Sequence, residues 1–184
     1  MTRIIAGFAG SISIAVPGSG TRPTSDRVRE AIFSALEARD AIHGARVLDL
    51  YAGSGALGLE AASRGATHIT LVDLAIDAVR ANAAKVLKQA PADAQPIVLP
   101  VARAVQSFLD SATDTWDLVF LDPPYSMPSE EVGHNLAALA PRLEPGALVI
   151  VERGSRSSAP SWTDGLSFER RKDYGDTALY WLSA

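Results

Sequence analysis

The sequence predicts an α/β protein whose mostly parallel sheet ends in an antiparallel hairpin. From Arg46 onward, short apolar runs alternate with helical patterns, as expected where helices connect parallel strands. The predicted strands lie at residues 47–50, 69–72, 97–99, 118–121 and 147–151, and the helical stretches at 55–64, 75–89, 101–111 and 130–142. Two further strands, at residues 167–171 and 178–182, are joined by turn-forming residues at 173–176, which predicts the hairpin.

The composition of the 184-residue chain is that of a globular protein, with 47% hydrophobic and 21% charged residues. It has no Cys, and His43, His68 and His134 are far apart, so we expect neither a disulfide nor a metal site. No segment resembles a signal peptide or a membrane span, which favours a cytoplasmic protein. The net charge is −4, and the acidic excess lies in residues 45–150, so a polyanion would have to contact the ends of the chain.

Residues 1–44 form a predicted N-terminal extension, a hairpin and a helix, before a main domain at residues 45–184. The helix is indicated by an apolar stripe at Val28, Ala31, Ile32, Ala35 and Leu36. Thr24 or Ser25 can cap its first turn. Arg27 and Arg29 lie off the stripe and Arg22 precedes it, so these arginines either form an ordinary solvated surface or contact a polyanion.

The first candidate site is the Gly-rich segment after the strand at residues 47–50. Gly53, Gly55 and Gly58 complete a G-x-G-x-x-G pattern, which by itself fits a nicotinamide-dependent oxidoreductase. Asp49 opposes that reading, because a carboxylate in front of the helix would repel a pyrophosphate. S-adenosylmethionine has an ammonium group, a sulfonium and no phosphate, so Asp49 could bind its amino-acid end directly or through water. The alternative is that Asp49 only caps the turn.

Asp73 ends the next strand, twenty residues after Gly53. That spacing is typical of an acid that binds ribose hydroxyls, and both cofactor readings use such an acid. Leu74 could cover one face of an adenine, and the chain around Val101 and Ala102 could cover the other.

The second candidate site is the sequence Asp-Pro-Pro-Tyr at residues 122–125, directly after a predicted strand. It should face the same crevice, because ligands of open α/β sheets bind beyond the carboxyl ends of the strands. The Asp122 carboxylate and the Pro123 carbonyl could accept the hydrogens of an amino group, and Tyr125 could stack on a base for about 1–3 kcal/mol. Pro123 and Pro124 could instead form a plain turn, but the pairing with the Asp49 segment is hard to explain that way.

At these residues the chain resembles the Rossmann-like methyltransferases that modify exocyclic amines, and most closely the bacterial family that methylates N2 of a guanine in small-subunit (16S) ribosomal RNA. The segments that carry the resemblance are residues 3–7, 22–30, 49–60 and 122–125. The resemblance implies a seven-stranded sheet and S-adenosylmethionine as cofactor. The predicted cofactor site comprises Asp49, Tyr51, Gly53, Ser54, Gly55, Asp73, Leu74 and Ala102, and the predicted catalytic residues are Asp122, Pro123, Pro124 and Tyr125.

The resemblance also implies that Arg22, Thr24, Arg27 and Arg29 contact RNA or shape the substrate pocket. Residues 7–13 lack the basic side chains that are common in the family, so we expect RNA binding to depend partly on the proteins of a ribosomal particle. The expected partner is ribosomal RNA in the small subunit or an assembly intermediate, and the expected state is a monomer. Methylation of a DNA base or a protein amide remains an alternative, as does the oxidoreductase.

Overall fold

The computed structural model describes residues 2–16 and 25–184. Nine strands lie in these residues: seven form one sheet through the middle of the molecule, and the first two pair with each other in a small separate sheet. The strands are β1 (Thr2–Arg3), β2 (Ser13–Ile14), β3 (Arg46–Leu50), β4 (His68–Asp73), β5 (Ile97–Ala102), β6 (Trp116–Leu121), β7 (Leu143–Gly154), β8 (Ser167–Tyr174) and β9 (Thr177–Ser183). The helices are α1 (Asp26–Glu37), α2 (Ala56–Ser63), α3 (Asp77–Leu87), α4 (Val105–Ser111) and α5 (Ser129–Leu139), the last followed by a 3-10 turn at Ala140–Arg142.

The strand order across the large sheet is β5-β4-β3-β6-β7-β9-β8. Strands β3 to β7 are parallel, and β9 inserts antiparallel between β7 and β8. The predicted α/β fold with its closing hairpin is therefore confirmed. The helix expected at 101–111 begins only at Val105, because β5 continues to Ala102, which pairs with Asp73.

Helices cover both faces of the sheet, so its central strands are apolar on both sides. Leu118 and Phe120 of β6 belong to a core shared with α1, α2 and α3. Val119 and Leu121 point the other way, into a core shared with α4 and α5. In the described ranges 2–16 and 25–184, every helix is too short or too polar to cross a lipid bilayer.

The N-terminal extension is joined to the main domain by buried polar groups. The carboxylate of Glu60 in α2 accepts hydrogen bonds from the backbone N–H groups of Ile5 and Ala6, at 2.6 and 3.0 Å. Asn82 in α3 bonds both the N–H and the carbonyl of Ala15, and it also donates to the carbonyl of Ser54 in the Gly-rich segment. The hairpin of the extension is thus tied to the loop that follows β3.

Helix α1 begins as predicted, with Ser25 accepting a hydrogen bond from the N–H of Val28 at 3.3 Å. The expectation that Arg29 lies off the buried stripe is wrong. Arg29 is fully buried, and its Nη2 donates to Thr2 Oγ1, the Arg3 carbonyl and Asp26 Oδ1 at 2.7–2.9 Å. Arg29 and Phe33 widen the buried face of the helix beyond the five apolar positions.

The order of the strands across the sheet reverses between β3 and β6, which are neighbours although two strands separate them in sequence. Both strands are parallel, so the segments that follow them emerge side by side at the carboxyl edge of the sheet. This is the switch point at which open α/β sheets bind their ligands.

Candidate active site

A cavity of about 1060 Å³ opens at this switch point. Its walls come from the segments after β3, β4, β5 and β6, with Thr2 and Val16 of the extension at one side. The predicted site residues that line it are Asp49, Tyr51, Gly53, Ser54, Asp73, Leu74, Asp122, Pro123, Pro124 and Tyr125. The two segments singled out from the sequence therefore share one cavity.

Asp49 is buried near the end of β3. Its Oδ2 accepts a hydrogen bond of 2.8 Å from the N–H of Gly58, in the first turn of α2. Burial raises the pKa of Asp49 to about 7, opposed by the Gly58 hydrogen bond and assisted by the negative charge of Asp73. Near neutral pH this carboxyl group is poised between its neutral and charged forms, and a bound cation would favour the charged form.

The segment between Asp49 and α2 is held in a left-handed conformation at three positions. Gly53 and Gly55 have φ values of +58° and +78°, which glycine adopts without steric cost. Tyr51 also has a positive φ, +63°, and its hydroxyl donates to Asn135 Oδ1 at 2.6 Å. Burial, with a contribution from Glu131, raises the pKa of Tyr51 to about 12, so the hydroxyl stays protonated as a donor.

Asp73 connects β4 to the same segment. Its Oδ2 accepts from the N–H of Gly53 at 2.9 Å and its Oδ1 from the N–H of Ala75 at 3.0 Å. Leu74 beside it is 76% exposed and lines the cavity. The N–H groups of Gly53 and Gly58 thus both donate to carboxylates. They are therefore not available to bind a pyrophosphate at the start of the helix.

Two predicted cofactor residues do not line the cavity. Gly55 is the N-cap of α2 and shapes the turn. Ala102 pairs with Asp73 in the sheet, but the wall on that side is formed by the next four residues, 103–106. Within that wall, Gln106 accepts from Asn135 Nδ2 at 2.8 Å, and so extends the chain of hydrogen bonds that starts at Tyr51.

Sequence reasoning missed Gln106 and Asn135, which come from different helices. The available signal was a polar residue, Asn135, among the apolar positions of α5 that face the sheet.

The loop after β6 lies beside β3, with the N–H of Asp122 directed at the carbonyl of Leu50 at 3.4 Å. Pro123 is buried and Pro124 exposed. Tyr125 is 41% exposed, and its hydroxyl donates to Glu152 Oε1 at 3.1 Å and shares a 2.9 Å hydrogen bond with Thr177 Oγ1. Burial is the main reason that the pKa of Tyr125 is raised.

The predicted RNA-contacting residues fall into three groups. Arg27 is exposed in the first turn of α1. Arg29 is buried against Thr2, so it supports a residue that lines the cavity and presents no charge to the outside. Arg22 and Thr24 lie outside the described residues.

The geometry suits a cationic ligand at one end of the cavity and an amine at the other. Asp49 and Asp73 place two carboxyl groups around the Gly-rich segment, and residues 122–125 add a third carboxyl group and an aromatic ring. With the order of the sheet, these features define a Rossmann-like methyltransferase.

The chain belongs to the family described as conserved hypothetical protein 95, whose model matches residues 2–183. It is 36% identical over 177 residues to ribosomal RNA small subunit methyltransferase D of Escherichia coli K12, covering 96% of this chain and 86% of that protein. The protein of the same name from Haemophilus influenzae is 37% identical over 153 residues, covering 82% and 77% of the two chains. A hypothetical protein of Thermus thermophilus, of known structure, superposes with a TM-score of 0.78 at 30% identity, covering 98% of each chain.

Proposed function

We propose that this protein transfers a methyl group from S-adenosylmethionine to the exocyclic N2 amine of a guanine in 16S ribosomal RNA. The observation that carries the proposal is the meeting of Asp49 and Asp122 at one cavity, at the carboxyl ends of the adjacent strands β3 and β6. The relatives named as methyltransferases of small-subunit ribosomal RNA supply the substrate class.

The donor set around the Gly-rich segment fits S-adenosylmethionine. Asp49 and Asp73 are acceptors for an ammonium group and for hydroxyl groups, and no phosphate has to be accommodated between them. Leu74, Ala104 and Val105 provide apolar contacts for a purine ring. The side of the cavity that Thr2 and Val16 line is proposed to take the acceptor.

S-adenosylmethionine, held by Asp49 and Asp73, would supply a methyl group on a positively charged sulfur that can leave as a neutral thioether. The Asp122 carboxylate and the Pro123 carbonyl accept the two amine hydrogens, which frees the nitrogen lone pair from the ring. Tyr125 holds the base by stacking on its face. Asp122 or water then takes the proton that the nitrogen releases.

The substrate reaches the cavity on the side of the extension. Arg27, and Arg22 with Thr24, are proposed to contact RNA, and Arg29 to hold the extension in place. We propose that the protein acts as a monomer in the cytoplasm. Its substrate is proposed to be a small ribosomal subunit or an assembly intermediate, since residues 7–13 carry no basic side chain that would help to bind naked RNA.

The test is methyl transfer from labelled S-adenosylmethionine to small ribosomal subunits and to naked 16S ribosomal RNA, both from cells that lack the enzyme. Label recovered as N2-methylguanosine with the wild-type protein, and lost with Asp122→Ala, is the expected result. Asp122→Asn is the matched variant, because it keeps the shape and one acceptor oxygen and removes the charge. Cofactor binding without transfer to either RNA would overturn the substrate assignment and direct the search to DNA bases and protein amides.

A further inference from the structure

Two consecutive residues at the end of β7, Glu152 and Arg153, bond the loop at residues 122–127, and the next residue, Gly154, lies beside it. Nothing in the chemistry proposed above requires them. They were also invisible in the sequence pattern, because they follow an apolar strand and resemble the start of an ordinary surface turn.

Glu152 is only 4% exposed, and its Oε1 accepts the hydrogen bond from the Tyr125 hydroxyl. Thr177 bonds the same hydroxyl from β9, where it pairs with Gly154 across the ladder. The hydroxyl of Tyr125 is therefore fixed by two side chains from two different strands. A tyrosine ring that is anchored at its far end cannot swing about its Cα–Cβ bond.

Arg153 holds the other end of the loop. It is 1% exposed, and its Nη2 donates to the carbonyl of Met127 at 2.6 Å. Its Nε and Nη1 are buried with no hydrogen-bond partner among the described residues, and burial lowers its pKa. Retaining a guanidinium at such a cost indicates a role beyond packing. Consecutive strand residues point to opposite faces of a sheet, so Glu152 bonds Tyr125 from one face and Arg153 bonds Met127 from the other.

Gly154 lies under the ring of Tyr125. A Cβ added at Gly154 would be 3.5 Å from Cδ2 of Tyr125, an ordinary contact distance, so the ring passes about one methyl group away from the backbone of β7. Tyr125 is still 41% exposed, which leaves surface for a base.

We propose that Glu152 is a positioning residue for methyl transfer, which acts by fixing the Tyr125 ring as a rigid stacking surface, with Thr177 as its partner. This inference rests on the proposed function for the identity of the stacked group. A base that stacks on a fixed ring presents its amine to Asp122 at a fixed distance, whereas a mobile ring would spread the amine over many positions.

The decisive variants are Tyr125→Phe, Glu152→Ala and Glu152→Gln. Tyr125→Phe and Glu152→Ala should lower kcat by about 10- to 100-fold, the usual cost of imperfect alignment, with the dissociation constant of S-adenosylmethionine unchanged. Glu152→Gln should restore part of kcat, because its amide oxygen can still accept from Tyr125. Glu130→Gln, the same change at an exposed position outside the cavity lining, should leave kcat as in the wild type.

The double variant Tyr125→Phe/Glu152→Ala separates positioning from general stability. If Glu152 acts through the hydroxyl, the double variant is no slower than Tyr125→Phe alone. Additive losses in kcat, or full kcat in Tyr125→Phe, would overturn the proposal.

Hydrogen–deuterium exchange at the amides of residues 125–127, measured without RNA, keeps this inference separate from the proposed reaction. Faster exchange in Glu152→Ala and in Tyr125→Phe than in the wild type is expected, and unchanged exchange would remove the anchoring role whatever the substrate. If the wild-type protein methylates no RNA but the exchange responds as expected, the proposed function fails while the anchor stands.

Discussion

The carboxylate of Asp49 accepts a hydrogen bond of 2.8 Å from the backbone N–H of Gly58. The carboxylate thus satisfies a free donor in the first turn of α2, while the same residue lines the cavity. The two readings of Asp49 from the sequence, as a cap and as a cofactor ligand, are therefore compatible, because one oxygen serves the helix. Burial holds its pKa at about 7, so its charge depends on pH in the physiological range.

Asp49→Asn should stabilise the protein without cofactor, and by clearly more at pH 8 than at pH 5. The pKa of Asp49 is about 7 when folded and 3.8 in an unperturbed chain, so the folded state binds more protons between these values. The stability contributed by Asp49 is therefore full below about pH 4 and is lost as the pH rises through 7. Asparagine cannot ionise, and its carbonyl oxygen still accepts from Gly58.

Urea unfolding of both proteins at pH 5 and pH 8 measures this difference. Asp93→Asn, at an exposed position, is the control and should show no such pH dependence. An equal effect of Asp49→Asn at both pH values would contradict the raised pKa.

Binding of S-adenosylmethionine should strengthen as the pH rises from 6 to 8. The ammonium group of the ligand requires the charged form of Asp49, which forms in this interval. Calorimetric titration should show a dissociation constant that falls by up to about tenfold per pH unit below the pKa and then levels off. In Asp49→Asn, binding should be weaker and nearly independent of pH; the same pH profile as in the wild type would assign the titration to another group.

Gly58→Ala should destabilise the protein by about 1–3 kcal/mol, the usual cost of forcing extra atoms into a packed interior. The new Cβ would lie 2.3 Å from Cδ2 of Leu71 and 3.2 Å from Cβ of Asp49, so α2 would have to move away from the sheet. Cofactor binding should weaken with it, since the N–H of Gly58 moves with the helix. Urea unfolding and calorimetry measure the two effects.

Gly53→Ala is the matched control for this steric effect. A Cβ there has open space, with its nearest neighbour at 3.9 Å, and only the positive φ of +58° opposes the change. Trimming the obstacle with Leu71→Val should recover part of the stability of Gly58→Ala. A Gly58→Ala protein as stable as the wild type would show that the space between α2 and the sheet can take a methyl group at this position.

The sheet, its hairpin and the two motif segments were predictable because each depends on local patterns, such as apolar runs and residues that terminate a strand. The positions that the sequence did not predict depend on contacts between residues distant in sequence. Arg29 has the pattern of a surface residue until β1 packs over it, and Glu152 meets Tyr125 only because residues 122–127 lie across the end of β7. Ala102 was displaced because a strand that continues for three more residues delays the start of α4. The periodicity of a sequence reports neighbours within one helix or strand and carries no information about such long-range contacts.

Arg27 and Arg29, two positions apart on α1, should respond in opposite ways to substitution. Arg29→Met removes the buried guanidinium that bonds Thr2, the Arg3 carbonyl and Asp26, and should cost about 1–3 kcal/mol in unfolding free energy. Arg27→Ala removes an exposed charge and should change stability by less than about 0.5 kcal/mol. If Arg27 contacts a phosphate, its loss should raise KM for the ribosomal substrate and flatten the dependence of KM on salt, with kcat unchanged. Urea unfolding together with KM measured at two salt concentrations distinguishes the two residues, and a loss of stability in Arg27→Ala without a change in KM would assign Arg27 a structural role instead of an RNA contact.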